Sequence, residues 1–169
     1  MTTDTVAQFS SSLAEHDVEC TRVPAAEFAE ALETVLERPA VGAPLGISGV
    51  SLSDCGVTTS PTPRQLEDAE TGVARAGAGI AEYGTLVVQS DAGGTEPVSL
   101  YPPTHVAVVR ASDVVPDVRS GLAWLAEEFD AGRDTAILAT GPSATADMGG
   151  LVFGAHGPKR VHVLVISDR

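Results

Sequence analysis

Two patterns of apolar and polar residues alternate along this chain, one typical of helices and one typical of buried strands. Apolar residues recur at helical spacing in three segments, which predicts amphipathic helices over 5–16, 24–38 and 117–129. Short apolar runs rich in Val, Ile and Leu predict strands at 85–88, 106–109, 137–140 and 161–166. Residues 19–23 are a further, short candidate strand. This alternation predicts an α/β fold around an open, largely parallel sheet with some mixed pairing.

The last third of the chain combines such runs with the most chemistry. The apolar run at 137–140 ends at a Gly-Pro break, and three small polar side chains follow it: Ser143, Thr145 and Asp147. We interpret these residues as a polar turn and a short helix, followed by His156 between two glycines and then by the final strand. Ligands of open α/β sheets bind where loops leave the carboxyl ends of strands, so we expect the functional site here.

Length and composition indicate one globular domain. With 169 residues, 43% of them hydrophobic, the chain is long enough to bury a substantial core. We predict a single domain over 1–169, with a helical N-terminal part at 1–38 and the α/β core at 39–169. Aromatic residues make up only 4% of the chain, so the core is expected to be aliphatic.

The chain is strongly acidic, with 23 Asp and Glu against 10 Lys and Arg and a formal net charge of -13. This charge repels nucleic acids and anionic membranes, so neither is expected as a partner. Lys159 is the single lysine. A surface rich in carboxylates and poor in lysine resembles proteins of halophilic archaea, because high salt screens its self-repulsion. The alternative is an acidic mesophilic protein.

Cysteine and histidine spacing gives no metal or cluster site. Cys20 and Cys55 are the only cysteines and lie far apart in the sequence, so we expect neither a disulfide framework nor a zinc site. An iron–sulfur cluster ordinarily needs about four thiolates. We therefore expect no metal and no cofactor in this chain. Because no apolar stretch is long enough to cross a bilayer and no signal-peptide pattern is present, we expect a cytoplasmic protein.

The glycine-rich segment 77–82 invites comparison with the GxGxxG turn that binds dinucleotides. Glu82 stands where the third glycine is required, and the segment precedes a predicted strand instead of following one. A tightly packed helix or turn of Gly and Ala is the preferred interpretation.

Four side chains are candidates for chemistry, and three of them have a structural alternative. Glu82 is either a nucleophile or base, or a solvated or capping carboxylate. His105, at the start of a strand, is either a general base or a buried structural histidine. Ser143 contributes to an anion site at a helix start, or is only its N-cap. The glycines beside His156 imply close backbone approach, so this side chain can reach the same region.

At these residues the sequence resembles the LUD (lactate utilization) domain family. The resemblance is carried by the order and spacing of four segments, 80–87, 102–109, 141–147 and 154–163. Seven positions are transferred from the family's motifs as candidates for ligand binding, without catalytic roles: Glu82, Thr85, His105, Ser143, Thr145, Asp147 and His156.

The resemblance implies a Rossmann-like α/β sandwich similar to the NagB/RpiA/CoA-transferase group. It also implies an accessory subunit that works with two iron–sulfur partner proteins in oxidising L-lactate to pyruvate, with the clusters held by the partners alone. Such a subunit would bind a small anionic metabolite or the iron–sulfur subunits, and homo-oligomer formation stays open. Two other functions also stay open, a stand-alone acyl-transfer or isomerase-type enzyme with Glu82 as nucleophile or base, and a non-catalytic metabolite sensor.

The chain departs from the family at one motif. After Asp147 the family commonly continues with an Ile-Glu pair, where this sequence has Met148-Gly149. If that glutamate contacts a ligand in other members, the site here is altered.

Overall fold

Twelve strands and five α-helices are present in the computed structural model of the chain, which describes residues 4–147 and 149–169. The helices are α1 (Thr5–Ala14), α2 (Phe28–Val35), α3 (Pro63–Glu67), α4 (Thr95–Leu100) and α5 (Val118–Asp130). The strands are β1 (Glu19–Val23), β2 (Ala40–Gly42), β3 (Thr58–Thr59), β4 (Thr71–Arg75), β5 (Ala78–Ile80), β6 (Thr85–Gln89), β7 (Thr104–Arg110), β8 (Val114–Val115), β9 (Ala136–Thr140), β10 (Ala144–Asp147), β11 (Gly150–Phe153) and β12 (Arg160–Ile166).

The strands form two sheets and a separate hairpin. The larger sheet has six strands in the order β1-β12-β7-β4-β2-β3, and every pair in it is parallel. The smaller sheet has the order β8-β5-β6-β9, in which β6 pairs antiparallel with both of its neighbours. Strands β10 and β11 form an antiparallel hairpin. The prediction of an α/β fold with a largely parallel sheet is confirmed.

The two faces of the six-stranded sheet are covered by different elements. On one face α2 buries Phe28 and Leu32 against alternate residues of the strands. On the other face α1 buries Phe9 beside Leu86 of β6, so this face looks towards the smaller sheet. Helix α5 covers the outer face of the smaller sheet through Leu125. Because strand side chains alternate between faces, the continuous apolar runs of β7 and β12 supply both cores.

Helix α4 packs directly on the backbone of β4. A Cβ atom added at Gly72 would lie 1.9 Å from the carbonyl oxygen of Val98 in α4. Gly72 pairs with His105 across the parallel ladder, so both residues face the same side of the sheet. Only a residue without a side chain allows α4 to lie this close to β4.

One local prediction was wrong and another holds in part. The residues after Ser143 form strand β10 instead of a helix, because they pair with the apolar strand β11 across a turn in which Gly149 has a φ of 83°. The segment at 77–82, predicted as a Gly/Ala helix or turn, contains strand β5 and then the first residues of the turn to β6. It is tightly packed, because a Cβ at Gly79 would lie 2.9 Å from the Phe9 ring. Met148 lies outside the described residues.

Residues 19–23 form the strand that the sequence predicts, and this strand is an edge of the larger sheet beside β12. The N-terminal part therefore contributes to the sheet as well as two helices. In the described part of the chain, no helix has the length and apolar character needed to cross a bilayer.

Candidate functional site

A cavity of about 320 Å³ lies between the two sheets. Its walls are the starts of β7 and β12, strands β6 and β9, helix α4, and the loops around the hairpin. Four of the predicted site residues line it: His105, Ser143, Thr145 and His156. Residues far apart in the sequence thus meet in one cavity.

The cavity lies at an edge of the larger sheet that the sequence argument did not expect. His105 and Val161 are the second residues of β7 and β12, so the cavity is at the amino ends of these parallel strands. Among the described strands that border the cavity, β9 alone contributes its carboxyl end, because it ends at Thr140 and leads into the Ser143 loop. Strand β9 belongs to the smaller sheet, and its end meets the amino ends of the parallel strands of the larger sheet at the cavity.

His105 supplies the most distinctive group in the cavity. Its side chain is 3% exposed, and its Nε2 atom is buried without a hydrogen-bond partner in the part of the chain that the structure describes. Burial lowers the pKa of His105 from 6.5 to about 4, because charging the ring away from water is unfavourable. The imidazole is therefore neutral at physiological pH, with one ring nitrogen that still lacks a partner.

Ser143 holds the histidine loop against the cavity. The Ser143 Oγ accepts a hydrogen bond of 3.3 Å from the backbone N–H of His156, and its carbonyl oxygen accepts one of 2.9 Å from the N–H of Gly154. A Cβ at Gly157 would lie 3.2 Å from that of Ser143. The glycines beside His156 thus permit close approach, and the Ser143 hydroxyl proton can still be donated to a ligand.

Two threonines form a hydroxyl pair at the end of β9. Thr85 Oγ1 and Thr140 Oγ1 are 2.7 Å apart, and Thr140 lines the cavity whereas Thr85 lies behind it. Thr85 therefore orients a lining hydroxyl and does not itself face the cavity. Asp147 is the last residue of β10, and its side chain lies outside what the structure describes.

Glu82 does not share this cavity, which corrects the expectation that it joins the other site residues. Its exposed carboxylate Oε2 accepts a hydrogen bond of 3.1 Å from the backbone N–H of Val118, the first residue of α5. The turn between β5 and β6 thus brings Glu82 to the helix on the outer face of the smaller sheet. This is the capping role that the sequence left as an alternative.

Replacing Glu82 with alanine is expected to lower the free energy of unfolding by about 0.5–1 kcal/mol, because one N–H at the start of α5 loses its acceptor. Urea denaturation measures this difference. Glu127→Ala on the exposed side of the same helix is the matched control and should cost less. Equal stability of the Glu82→Ala protein and the wild type would contradict the capping role.

Two polar residues of the cavity were missed by sequence reasoning. Thr140 directly precedes the Gly-Pro break, so its place at the end of a predicted strand was a usable signal. Ser99 lies in α4, and its Oγ donates a hydrogen bond to the carbonyl oxygen of Glu96. No apolar periodicity marks this six-residue helix in the sequence. Among residues 4–147 and 149–169, no three His, Cys, Asp or Glu side chains are grouped to hold a metal ion.

Comparison with known proteins gives consistent matches. The model of the LUD domain family matches residues 58–166, a range that contains all four cavity residues predicted from the sequence. Lactate utilization protein C of Deinococcus radiodurans is 31% identical over 167 residues, which cover 95% of this chain and 78% of that protein. Lactate utilization protein C of Geobacillus sp. (strain WCH70) is 34% identical over 107 residues, 61% of this chain.

The match covers only 44% of that Geobacillus protein, so this chain spans less than half of its length. Among solved structures, a DUF162 family protein from Deinococcus radiodurans superposes with a TM-score of 0.74 at 25% identity, over 96% of both chains. The structural match thus extends over nearly the whole chain, beyond the range of the family model.

Proposed function

Because the chain belongs to the LUD domain family, we propose that it takes part in lactate utilization, as an accessory subunit of an assembly that oxidises L-lactate to pyruvate. The name of its relatives, lactate utilization protein C, supports this proposal. The role proposed for the subunit is to bind a small anionic metabolite and to contact iron–sulfur partner subunits.

The observation that carries the proposal is the cavity itself. Among the side chains that the structure describes, no Asp or Glu lines it, although carboxylates outnumber basic groups on the chain as a whole. The part of an anionic metabolite that enters this cavity therefore meets no like charge from these side chains. The Ser143 hydroxyl can donate a hydrogen bond to it, and a neutral His105 offers a further hydrogen-bonding nitrogen.

A role for partner subunits follows from the redox chemistry. Oxidation of a hydroxy acid to an oxo acid releases two electrons and two protons, so an acceptor is needed. Cys20 is half-buried and Cys55 is buried, and two such thiols are too few for an ordinary cluster. We therefore place the electron carriers in the iron–sulfur subunits.

The hairpin is the surface that we propose for this contact. Leu151, Val152 and Phe153 are 62%, 44% and 51% exposed, and Phe153 also borders the groove beside the cavity. Three consecutive exposed apolar residues are unusual on a monomeric surface and are typical of interfaces. The enzyme alternative based on Glu82 is less favoured, because that carboxylate caps α5 and lies away from the cavity.

Deletion of the gene in its source cell tests the proposal. We expect loss of growth on L-lactate and unchanged growth on pyruvate. An affinity-tagged copy should restore growth and co-purify with iron-containing subunits, at both low and high salt. A tagged Phe153→Ser variant should recover less iron, whereas Phe129→Ser, which alters an exposed apolar residue of α5, should not. Normal growth on L-lactate without the gene would refute the proposed role.

A further inference from the structure

A wider groove adjoins the cavity at the same edge of the larger sheet. It has a volume of about 610 Å³ and opens beside the starts of β12 and β7. Pro142 and Val161 line both the groove and the cavity, so the two spaces are adjacent at these residues. A ligand with one end in each space would pass these two side chains.

Lys159 is an available cation in this groove. It is exposed and, within the described residues, forms no ion pair, whereas the neighbouring Arg160 is paired with Glu37. Its alkyl chain lies over Gly154, where an added Cβ would be 2.2 Å from Lys159 Cγ. Three carboxylates that the structure describes also border the groove, Asp17, Glu19 and Glu37. Glu37 is paired with Arg160, and the other two lie at or just before the start of β1, on the side of β12 away from β7. The Lys159 backbone instead bonds to the Pro103 carbonyl before β7.

The cavity itself suits an uncharged and mostly apolar group. Aliphatic side chains from β6, α4, β9 and β12 dominate its lining, and no Asp, Glu, Lys or Arg is among the lining side chains that the structure describes. A volume of about 320 Å³ falls in the range of about 300–1,000 Å³ that holds drug-sized ligands. A three-carbon hydroxy acid would leave most of this space to water.

We infer that the ligand is an amphipathic carboxylate larger than lactate, with its anionic end at Lys159 and its apolar body in the cavity. One hydrogen-bonding group on that body meets the unpartnered Nε2 of His105. The inference rests on the proposed function, because that proposal makes the cavity a metabolite site. It adds the chemical class, a hydroxy or oxo acid with a large apolar side chain that carries a hydroxyl or carbonyl.

Three 2-hydroxy acids of graded size test the inference by calorimetric titration of the whole protein. We expect 3-phenyllactate to bind at least about ten-fold more tightly than L-lactate, because its ring leaves water. We expect 3-(4-hydroxyphenyl)lactate to bind about five- to ten-fold more tightly again, because its phenol satisfies His105. These comparisons use the wild-type protein and do not depend on the folding of a variant.

Lys159→Met tests the position of the anionic end. It should weaken both aromatic acids about two- to five-fold and reduce the salt dependence of their binding. Arg119→Met, an exposed change on α5, is the control and should alter neither. Equal affinity for lactate and the aromatic acids, no gain from the phenol, an unaffected Lys159→Met protein, or no binding at all would each overturn the inference. Growth on L-lactate is scored separately, so failure of the proposed function is distinguishable from failure of this inference.

Discussion

Replacement of Gly72 by alanine is expected to lower the free energy of unfolding by about 3 kcal/mol. The added Cβ would lie 1.9 Å from the Val98 carbonyl oxygen and 3.0 Å from its carbonyl carbon. These are backbone atoms, so no side-chain rotation relieves the clash and α4 must move away from β4. Urea denaturation of the variant and the wild type measures the loss.

Gly121→Ala is the matched control for this substitution. Its Cβ would lie 2.5 Å from Ile80 Cδ1 and 2.9 Å from Ile80 Cγ1, which are side-chain atoms that can shift without moving the backbone. Alanine also favours a helix over glycine by about 1 kcal/mol, so the control should remain within about 1 kcal/mol of the wild type. A Gly72→Ala protein as stable as its control would show that α4 does not pack on β4 in this way.

Loss of stability between pH 6.5 and pH 4 is the second large effect that we expect. The pKa of His105 falls from 6.5 to about 4 on folding. Well above pH 6.5 the ring is neutral in both states and contributes nothing to the pH dependence. As the pH falls below 6.5 the unfolded chain takes up a proton that the folded protein does not, so the folded state loses roughly 3 kcal/mol by the time pH 4 is passed.

The difference between two proteins isolates this contribution. Urea denaturation from pH 7.5 to pH 4.5 should show a steeper decline in the wild type than in His105→Gln, which has no titrating ring. The Glu128 carboxyl, whose pKa the Arg133 guanidinium lowers to about 2, loses its contribution at lower pH and is common to both proteins. Parallel pH profiles of the two proteins would contradict the burial of a neutral His105.

The longer apolar runs and helical stripes in the sequence predicted the fold, because they mark the residues that are buried. The apolar runs of β7 and β12 and the stripe of α5 lie in the cores that they indicated. Shorter elements depended on distant partners. Helix α4 is six residues long, and its position is set by Gly72, about 25 residues away in the chain.

Site residues were predictable where their position along a strand determines the direction of the side chain. His105 is the second residue of β7, and the alternation of that strand determines the face on which the ring lies. Glu82 lies in a turn, where its direction depends on how α5 docks, and no pattern in the sequence carries that information. The residues after Ser143 are small and favour neither helix nor strand strongly, so their pairing with β11 decided the outcome.

The most direct test of the cavity as a ligand site is the imidazole nitrogen signal of His105 in ¹⁵N-labelled protein during titration with 3-(4-hydroxyphenyl)lactate. We predict a saturable shift of this signal, while the indole N–H of Trp124, on α5 beside Gly77, stays unchanged. Saturable binding that shifts other signals and leaves His105 unchanged would contradict the account.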